Sequence, residues 1–169
     1  MKVIGPVKGF VPQIGVSLNF NEILEIQANR PPFLFMKRAA AVVEWKQAAS
    51  EFQFLKSWDV FDVHFAQRPM VPATILLEMM MQTAALAPLL GLNKKPTRGA
   101  GIKPLVYLTQ VLNSKIKMQV DPGDEVQTST VITWMKGNFG KADSKVVKLG
   151  SGDMVANSQF QFYLDINLD

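Results

Sequence analysis

The 169-residue sequence contains no cysteine and a single histidine, His64. Without cysteine the chain can form neither a disulfide bond nor a zinc site built from thiolates, and it has no thiol nucleophile. With one histidine, a metal site that needs several imidazole ligands from one chain is excluded as well. Charged residues make up only 19% of the chain, and a formal net charge of +4 is too small to indicate a nucleic-acid partner.

The sequence also lacks a segment typical of an export signal. Gly5 and Pro6 interrupt the N-terminus before an apolar core could form. The longest apolar run, Ile75 to Leu92, approaches the length of a membrane-spanning helix, but it contains Glu78, Gln82 and a proline. We therefore predict a soluble, cytoplasmic protein that does not enter a membrane, in which this run is a buried helix.

The size and composition are those of one globular domain. Hydrophobic residues make up 48% of the chain, and about 150 residues is a common length for one domain. We predict a single domain over residues 1–169, beginning with an extended segment, residues 1–18, that is rich in glycine and proline. Asn19 and Glu22 have the spacing of a capping box and predict a short helix directly after that segment.

Strand-like patterns lie on both sides of the apolar run. Before it, residues 33–43 and 45–55 are predicted to form two strands. After it, four strand-like runs are predicted, of which residues 115–120 alternate cleanly between polar and apolar side chains. Residues 121–124, Asp-Pro-Gly-Asp, have the composition of a turn.

The apolar run determines the predicted architecture. Its helix should begin near Pro72 and end before Gly91, and its sides are apolar nearly all the way round, so it must be enclosed. The strands mostly carry one apolar face. A curved antiparallel sheet around a central helix would bury both these faces and the helix. We predict this α+β arrangement and, because one sheet could not cover the whole helix, at least a dimer.

Glu78 is the first candidate catalytic residue, because it lies among leucine and methionine side chains of the apolar helix. Burying an ionised carboxylate without a partner is costly, so such a residue would favour its protonated form and could act as a general acid. Gln82 lies four residues further on the same helical face and could hold the carboxyl group. The alternative interpretation is that Glu78 faces solvent at one edge of the helix.

His64 is the second candidate, flanked by apolar residues just before the helix. An imidazole can accept a proton near neutral pH, although a satisfied core histidine is the alternative. The helix start, at Pro72, Ala73 and Thr74, presents free backbone N–H groups that could stabilise negative charge on an acyl carbonyl. A base, an acid and a carbonyl polariser together suit the removal or addition of water beside an activated acyl group.

Three segments carry a family resemblance. Residues 64–72, followed by Glu78 and Gln82, resemble the G-H-F-P-G-R-P-x-M-P-G motif of the 3-hydroxyacyl-[acyl-carrier-protein] dehydratases, in which a glutamate lies fourteen residues after the histidine and a glutamine four further on. The interval from histidine to glutamate is also fourteen here. Residues 29–34 resemble the family's H-R-Y-P-F-L segment, and residues 120–124 resemble its V-x-P-G-D turn.

The resemblance implies a dimeric hot-dog fold, or a trimer of such dimers, with no metal or redox cofactor. It implies dehydration of a 3-hydroxyacyl thioester on an acyl carrier protein to the trans-2-enoyl thioester, in fatty-acid or polyketide-like biosynthesis. In that reaction His64 would take the C2 proton, and Glu78 of the other subunit would protonate the departing 3-hydroxyl group. The Met70 carbonyl would hold the imidazole, the Ala73 N–H would bind the thioester oxygen, and Gln82 would support the glutamate.

Four basic residues after the helix could receive the acidic face of the carrier protein, although an ordinary solvated loop has the same composition. They are Lys94, Lys95, Arg98 and Lys103. Three consecutive methionines, residues 79–81, could line a tunnel for an acyl chain or pack in the core.

The chain departs from the family motif at Val63, Ala66, Gln67 and Ala73, where the family has glycine or proline-glycine. A methyl group at Ala73 narrows the approach of substrate to the helix start. The alternative function is therefore a non-catalytic hot-dog protein that binds acyl thioesters or assembles with a partner. A thioesterase is a third possibility.

Overall fold

The computed structural model describes residues 7–93 and 103–166, which form seven strands and three helices. In chain order these are β1 (Val16–Leu18), α1 (Phe20–Ile26), β2 (Arg38–Val43), β3 (Gln47–Gln53), α2 (Val60–Val63), α3 (Ala73–Asn93), β4 (Leu105–Ile116), β5 (Glu125–Lys136), β6 (Phe139–Lys148) and β7 (Met154–Asp165). The strands form one antiparallel sheet in the order β1-β2-β3-β5-β6-β7-β4. The predicted α+β class is confirmed.

Helix α3 is the centre of the hydrophobic core. Thirteen of its 21 residues are buried, and it contacts the six strands from β2 to β7. The helix is long and apolar enough to cross a membrane by length and composition alone, but most of it is covered by the rest of this chain. The prediction that a sheet wraps around an apolar helix is confirmed, since the inner faces of the strands and the helix remove each other's apolar surface from water.

The N-terminus of α1 is formed as the capping-box pattern predicts. The side chain of Asn19 accepts a hydrogen bond from the backbone N–H of Glu22 at 3.1 Å. The carboxylate of Glu22 accepts one in return from the backbone N–H of Asn19 at 2.7 Å. These two bonds satisfy donors that a helix N-terminus otherwise leaves to water.

Helix α3 continues through Gly91 to Asn93, so the prediction that it ends before Gly91 is wrong. Gly91 is buried, and its missing side chain makes room for Trp45: a Cβ atom there would lie 2.2 Å from Nε1 of the indole. The backbone N–H of Trp45 also donates to the carbonyl of Ala87 at 3.1 Å. This glycine is therefore required by close packing and does not mark a helix terminus.

The predicted strand bounds before α3 were too wide. The first of the two predicted strands corresponds to β2, which begins at Arg38. Before it, the backbone N–H of Phe35 and the carbonyl of Phe33 bond to the side chain of Gln82. After α3, the predicted strand 115–120 is mostly not a strand, since β4 ends at Ile116 and a bend follows. The predicted turn at residues 121–124 is present.

The predicted extended segment at residues 1–18 is extended only at β1; residues 8–15 form turns and bends, and residues 1–6 lie outside the described residues. Phe10 is buried against Ala41 and Ala49. Gln47 attaches this N-terminal segment to β3. Its carboxamide accepts a hydrogen bond from the N–H of Val11 at 2.9 Å and donates one to the carbonyl of Val11 at 2.8 Å.

We expect Gly140→Ala to lower the free energy of unfolding by about 1–3 kcal/mol, the range of an overpacked core. Gly140 lies in β6, and a Cβ atom there would be 2.2 Å from Cζ of Phe162, a side chain with no exposed surface. Gly150→Ala is the matched control, because a Cβ at that position would meet nothing within 4 Å. Urea unfolding of both variants checks this, and equal stabilities would contradict it.

Candidate active site

His64 is held at the C-terminal end of the short helix α2. Its backbone N–H donates to the carbonyl of Val60 at 2.9 Å, and the N–H of Met70 donates back to the His64 carbonyl at 3.0 Å. The ring nitrogen Nδ1 lies 3.0 Å from the carbonyl oxygen of Met70. Because a carbonyl only accepts, this contact places the proton on Nδ1 of the neutral ring and leaves Nε2 as the basic nitrogen.

The loop that follows His64, residues 65–72, is hydrogen-bonded to residues 119 and 120, at the start of the turn that ends at residue 124. The N–H of Val71 donates to the carbonyl of Val120 at 2.9 Å, and the guanidinium of Arg68 donates to the side chain of Gln119 at 2.8 Å. Two segments that carry the family resemblance, far apart in the sequence, therefore meet in space.

The first residues of α3, Ala73 and Thr74, are exposed. The first N–H groups of a helix have no acceptor within that helix and carry partial positive charge. An acyl oxygen that gains negative charge at this position would be stabilised by these groups.

Glu78 is half-buried one turn into α3, and its carboxylate is held by Gln82. The amide nitrogen Nε2 of Gln82 donates to Oε1 of Glu78 at 2.8 Å and to the carbonyl of Phe33 at 2.9 Å. The amide oxygen of Gln82 accepts from the N–H of Phe35 at 2.8 Å. The side chain of Gln27 donates to the backbone carbonyl of Gln82 at 2.7 Å. Residues 29–34, the third segment that carries the family resemblance, are thus linked to Glu78 through Gln82.

A cavity of about 340 Å³ lies in front of Glu78 and Gln82. Helix α3, the residues after α1 and the start of β4 form its walls. The wall residues include Met81, Ala85, Leu89, Leu105, Val106 and Tyr107. Glu78 therefore faces a partly apolar cavity, an arrangement between the two alternatives of a fully buried and a solvent-facing carboxylate.

All three methionines at residues 79–81 pack in the core, and Met81 also lines this cavity. The β4 wall was missed by sequence reasoning. Leu105 and Tyr107 lie more than twenty residues from Glu78 in the sequence, and only the position of β4 at the end of the sheet brings them to it.

Within the described residues, His64 and Glu78 share neither a cavity lining nor a hydrogen bond. His64 does not line the cavity in front of Glu78. Across residues 7–93 and 103–166, the side-chain hydrogen bond of His64 is to Met70 and that of Glu78 is to Gln82.

Of the four basic residues singled out after the helix, one lies within the described residues; Lys94, Lys95 and Arg98 lie outside them. The ammonium group of Lys103 donates to the carbonyl of Leu24 and lies 3.5 Å from that of Gln27. It therefore caps the C-terminus of α1, where a cation is favourable.

Burial lowers the pKa of Lys103, and the nearby charge of Arg30 lowers it further, although Glu25 acts in the opposite direction. Arg30 is exposed and its guanidinium donates to the carbonyls of Gln27, Ala28 and Asn29 at 2.7, 3.2 and 2.8 Å. These three residues line the cavity in front of Glu78. Two cations thus lie beside the opening of that cavity.

Comparison with known proteins assigns this arrangement to a family. The family model of the FabA-like domain matches residues 28–157. This chain belongs to the FabA-like family. Among curated relatives, the 3-hydroxyacyl-[acyl-carrier-protein] dehydratase FabZ of Bacillus velezensis is 31% identical over 147 residues, which cover 87% of this chain and 98% of the relative. The enzyme of the same name from Bacillus subtilis is 30% identical with the same coverage. The resemblance predicted from the motifs is confirmed.

Solved structures support the fold of this FabA-like chain. The dehydratase heterocomplex ApeI:P from Xenorhabdus doucetiae aligns with a TM-score of 0.65 at 10% identity, covering 83% of this chain and 89% of that chain. The PaaI protein of Escherichia coli aligns with a TM-score of 0.51 at 12% identity, covering 72% and 78%. Identities this low show the fold alone, and the predicted hot-dog fold is confirmed.

We expect Gln82→Leu to destabilise the protein by several kcal/mol. Gln82 is 2% exposed, and its removal leaves the N–H of the buried Phe35 without its partner, at a cost of about 1–3 kcal/mol. The bonds to Phe33 and Glu78 are lost as well. Gln159→Leu, the same change at an exposed position of β7, is the control. Urea unfolding measures both, and a Gln82 variant as stable as the control would contradict the assignment.

Proposed function

We propose that this protein removes water from a 3-hydroxyacyl thioester carried on an acyl carrier protein, giving the trans-2-enoyl thioester in fatty-acid or polyketide-like biosynthesis. This is the hydro-lyase activity of the FabZ relatives by name. The observation that carries the proposal is the pair of oriented groups: a glutamate held by Gln82 at a cavity, and a histidine whose Nδ1 is held by Met70. The proposed location is the cytoplasm.

His64 is the proposed base. With its proton on Nδ1 and the Met70 carbonyl as acceptor, Nε2 is free to take the C2 proton of the substrate. The electron pair left at C2 spreads onto the thioester carbonyl, whose oxygen the N–H of Ala73 would bind at the start of α3. The methyl group of Ala73 leaves this donor in place, because the backbone supplies it.

Glu78 is the proposed acid. As the C3–O bond breaks, the protonated carboxyl group gives its proton to the departing hydroxyl group, which leaves as water while the C2–C3 double bond forms. Gln82 holds the carboxyl group through Oε1, which leaves the second oxygen for the substrate. The resting proton distribution returns when His64 releases its proton and Glu78 regains one.

We propose that the base and the acid meet across a homodimer, because within the described residues of one chain His64 neither lines the Glu78 cavity nor bonds to Glu78. Strand β4 is twelve residues long and ends the sheet formed by the described residues, and long exposed edges are normally covered. Five of its large hydrophobic side chains are at least 39% exposed: Tyr107, Leu108, Val111, Leu112 and Ile116. Val63 and Phe65, on either side of His64, are 75% and 57% exposed. A second copy of the chain would cover these surfaces.

We propose that the acyl carrier protein docks at the opening beside Arg30 and Lys103. Lys94, Lys95 and Arg98, which lie outside the described residues, stay carrier-protein contacts predicted from the sequence. The carbonyl contacts of the two cations position them next to residues that line the Glu78 cavity. An acidic partner attracted there would deliver its thioester directly to the carboxyl group, and the interaction would weaken with added salt.

We expect wild-type protein to hydrate a trans-2-enoyl thioester on acyl carrier protein, the reverse of the proposed reaction, and Glu78→Gln and His64→Ala to lower kcat about 10²- to 10⁴-fold. Glu125→Gln, an exposed carboxylate on β5, is the control and should leave kcat unchanged. The assay follows loss of the enoyl absorbance.

A wild type that binds the carrier protein without turnover would contradict the proposal and identify a non-catalytic binding protein. Release of free acid would identify a thioesterase.

The shared site predicts complementation between inactive subunits. A heterodimer purified with two different tags, one chain carrying His64→Ala and the other Glu78→Gln, has one site with both changes and one intact site. We expect about half of the wild-type activity from it, whereas each mutant homodimer is inactive. A heterodimer as inactive as the homodimers would place both groups of a site on one chain.

A further inference from the structure

A second cavity of about 430 Å³ opens on another part of the molecule and shares no lining residue with the cavity in front of Glu78. It lies between the end of β3, the segment that precedes β2, the start of α1 and the loop before α2. Its lining includes Phe20, Leu34, Phe35, Phe52, Phe54 and Trp58. Its volume is within the range of small-molecule sites in proteins.

The walls of this cavity are aromatic. The ring centroid of Phe35 lies 5.7 Å from that of Phe52 and 6.0 Å from that of Trp58. The ring of Phe54 closes the set, at 5.0 Å from Phe52 and 5.6 Å from Trp58. Four rings in contact form a stiff apolar surface that favours an alkyl chain or another apolar group over a polar ligand.

The opening carries a single charge. Lys37 is the one charged residue among those that line the cavity, and it is exposed. Its ammonium group is in none of the ion pairs found among residues 7–93 and 103–166. Leu55, at the same opening, is 59% exposed, so apolar surface continues outward from the cavity beside the cation.

We propose that this second cavity is a binding site for a long-chain monocarboxylate, with the alkyl chain among the four aromatic rings and the carboxylate beside Lys37. One cation next to an otherwise apolar cavity matches an amphiphile with one anionic head group. The site is separate from the proposed catalytic one, and its existence does not depend on the dehydratase activity.

Trp58 provides a local probe. The chain has three tryptophans, and Trp45→Phe with Trp134→Phe leaves the one that lines the cavity. Bromine quenches indole fluorescence on contact, so 11-bromoundecanoate should quench Trp58 saturably. Lys37→Met should weaken this binding about threefold to fivefold, the effect of an exposed ion pair. Lys136→Met, at the far end of β5, is the control and should leave it unchanged.

Ser57→Phe tests the location of the site, because Ser57 is an exposed residue of the lining and a ring there would obstruct the cavity. We expect quenching to weaken at least tenfold, with the far-UV circular dichroism unchanged. Absence of saturable quenching in the parent, or quenching that survives both Ser57→Phe and Lys37→Met, would overturn the proposal. An inactive dehydratase that still shows saturable, Lys37-dependent quenching would separate failure of the proposed function from failure of this site.

Discussion

The candidate site depends on the hydrogen bonds of the Gln82 carboxamide. It is buried, and it bonds to Glu78 on its own helix and to the backbone at Phe33 and Phe35. A buried amide without partners would cost more than its bonds contribute when made, so the segment before β2 and helix α3 are held in one relative position. The same contacts orient the carboxylate. The same set of hydrogen bonds therefore contributes to fold stability and places the proposed catalytic carboxyl group.

The exposed hydrophobic surface of β4 follows from the way the sheet encloses α3. An apolar helix must be covered on all sides, and the sheet covers it most fully where β3, β5 and β6 cross it. Towards β4 the cover ends in a strand with exposed hydrophobic side chains. The start of β4 also lines the Glu78 cavity, so this exposed surface lies beside the proposed acid. The proposed second subunit would cover the surface and bring a histidine to the cavity.

Local patterns predicted local structure well. The capping box at Asn19 and the turn at residues 121–124 depend on neighbouring residues only, and both are present. The helix end at Gly91 was predicted wrongly, because Trp45, a residue from a distant hairpin, needs the space that a side chain would occupy. The start of β2 was missed for a related reason, since Phe33 and Phe35, which lie before it, bond to a helix side chain.

The sequence by itself determined that a helix with no polar face must be buried inside a sheet, and which residues could act as acid and base. Composition, periodicity and spacing are properties of the chain, so they are visible before it folds. Only the tertiary structure decided that the side chain of Gln82 joins α3 to the segment before β2, and that β4 forms a wall of the cavity. These contacts join residues distant in sequence, and their geometry depends on how the whole sheet curves around the helix.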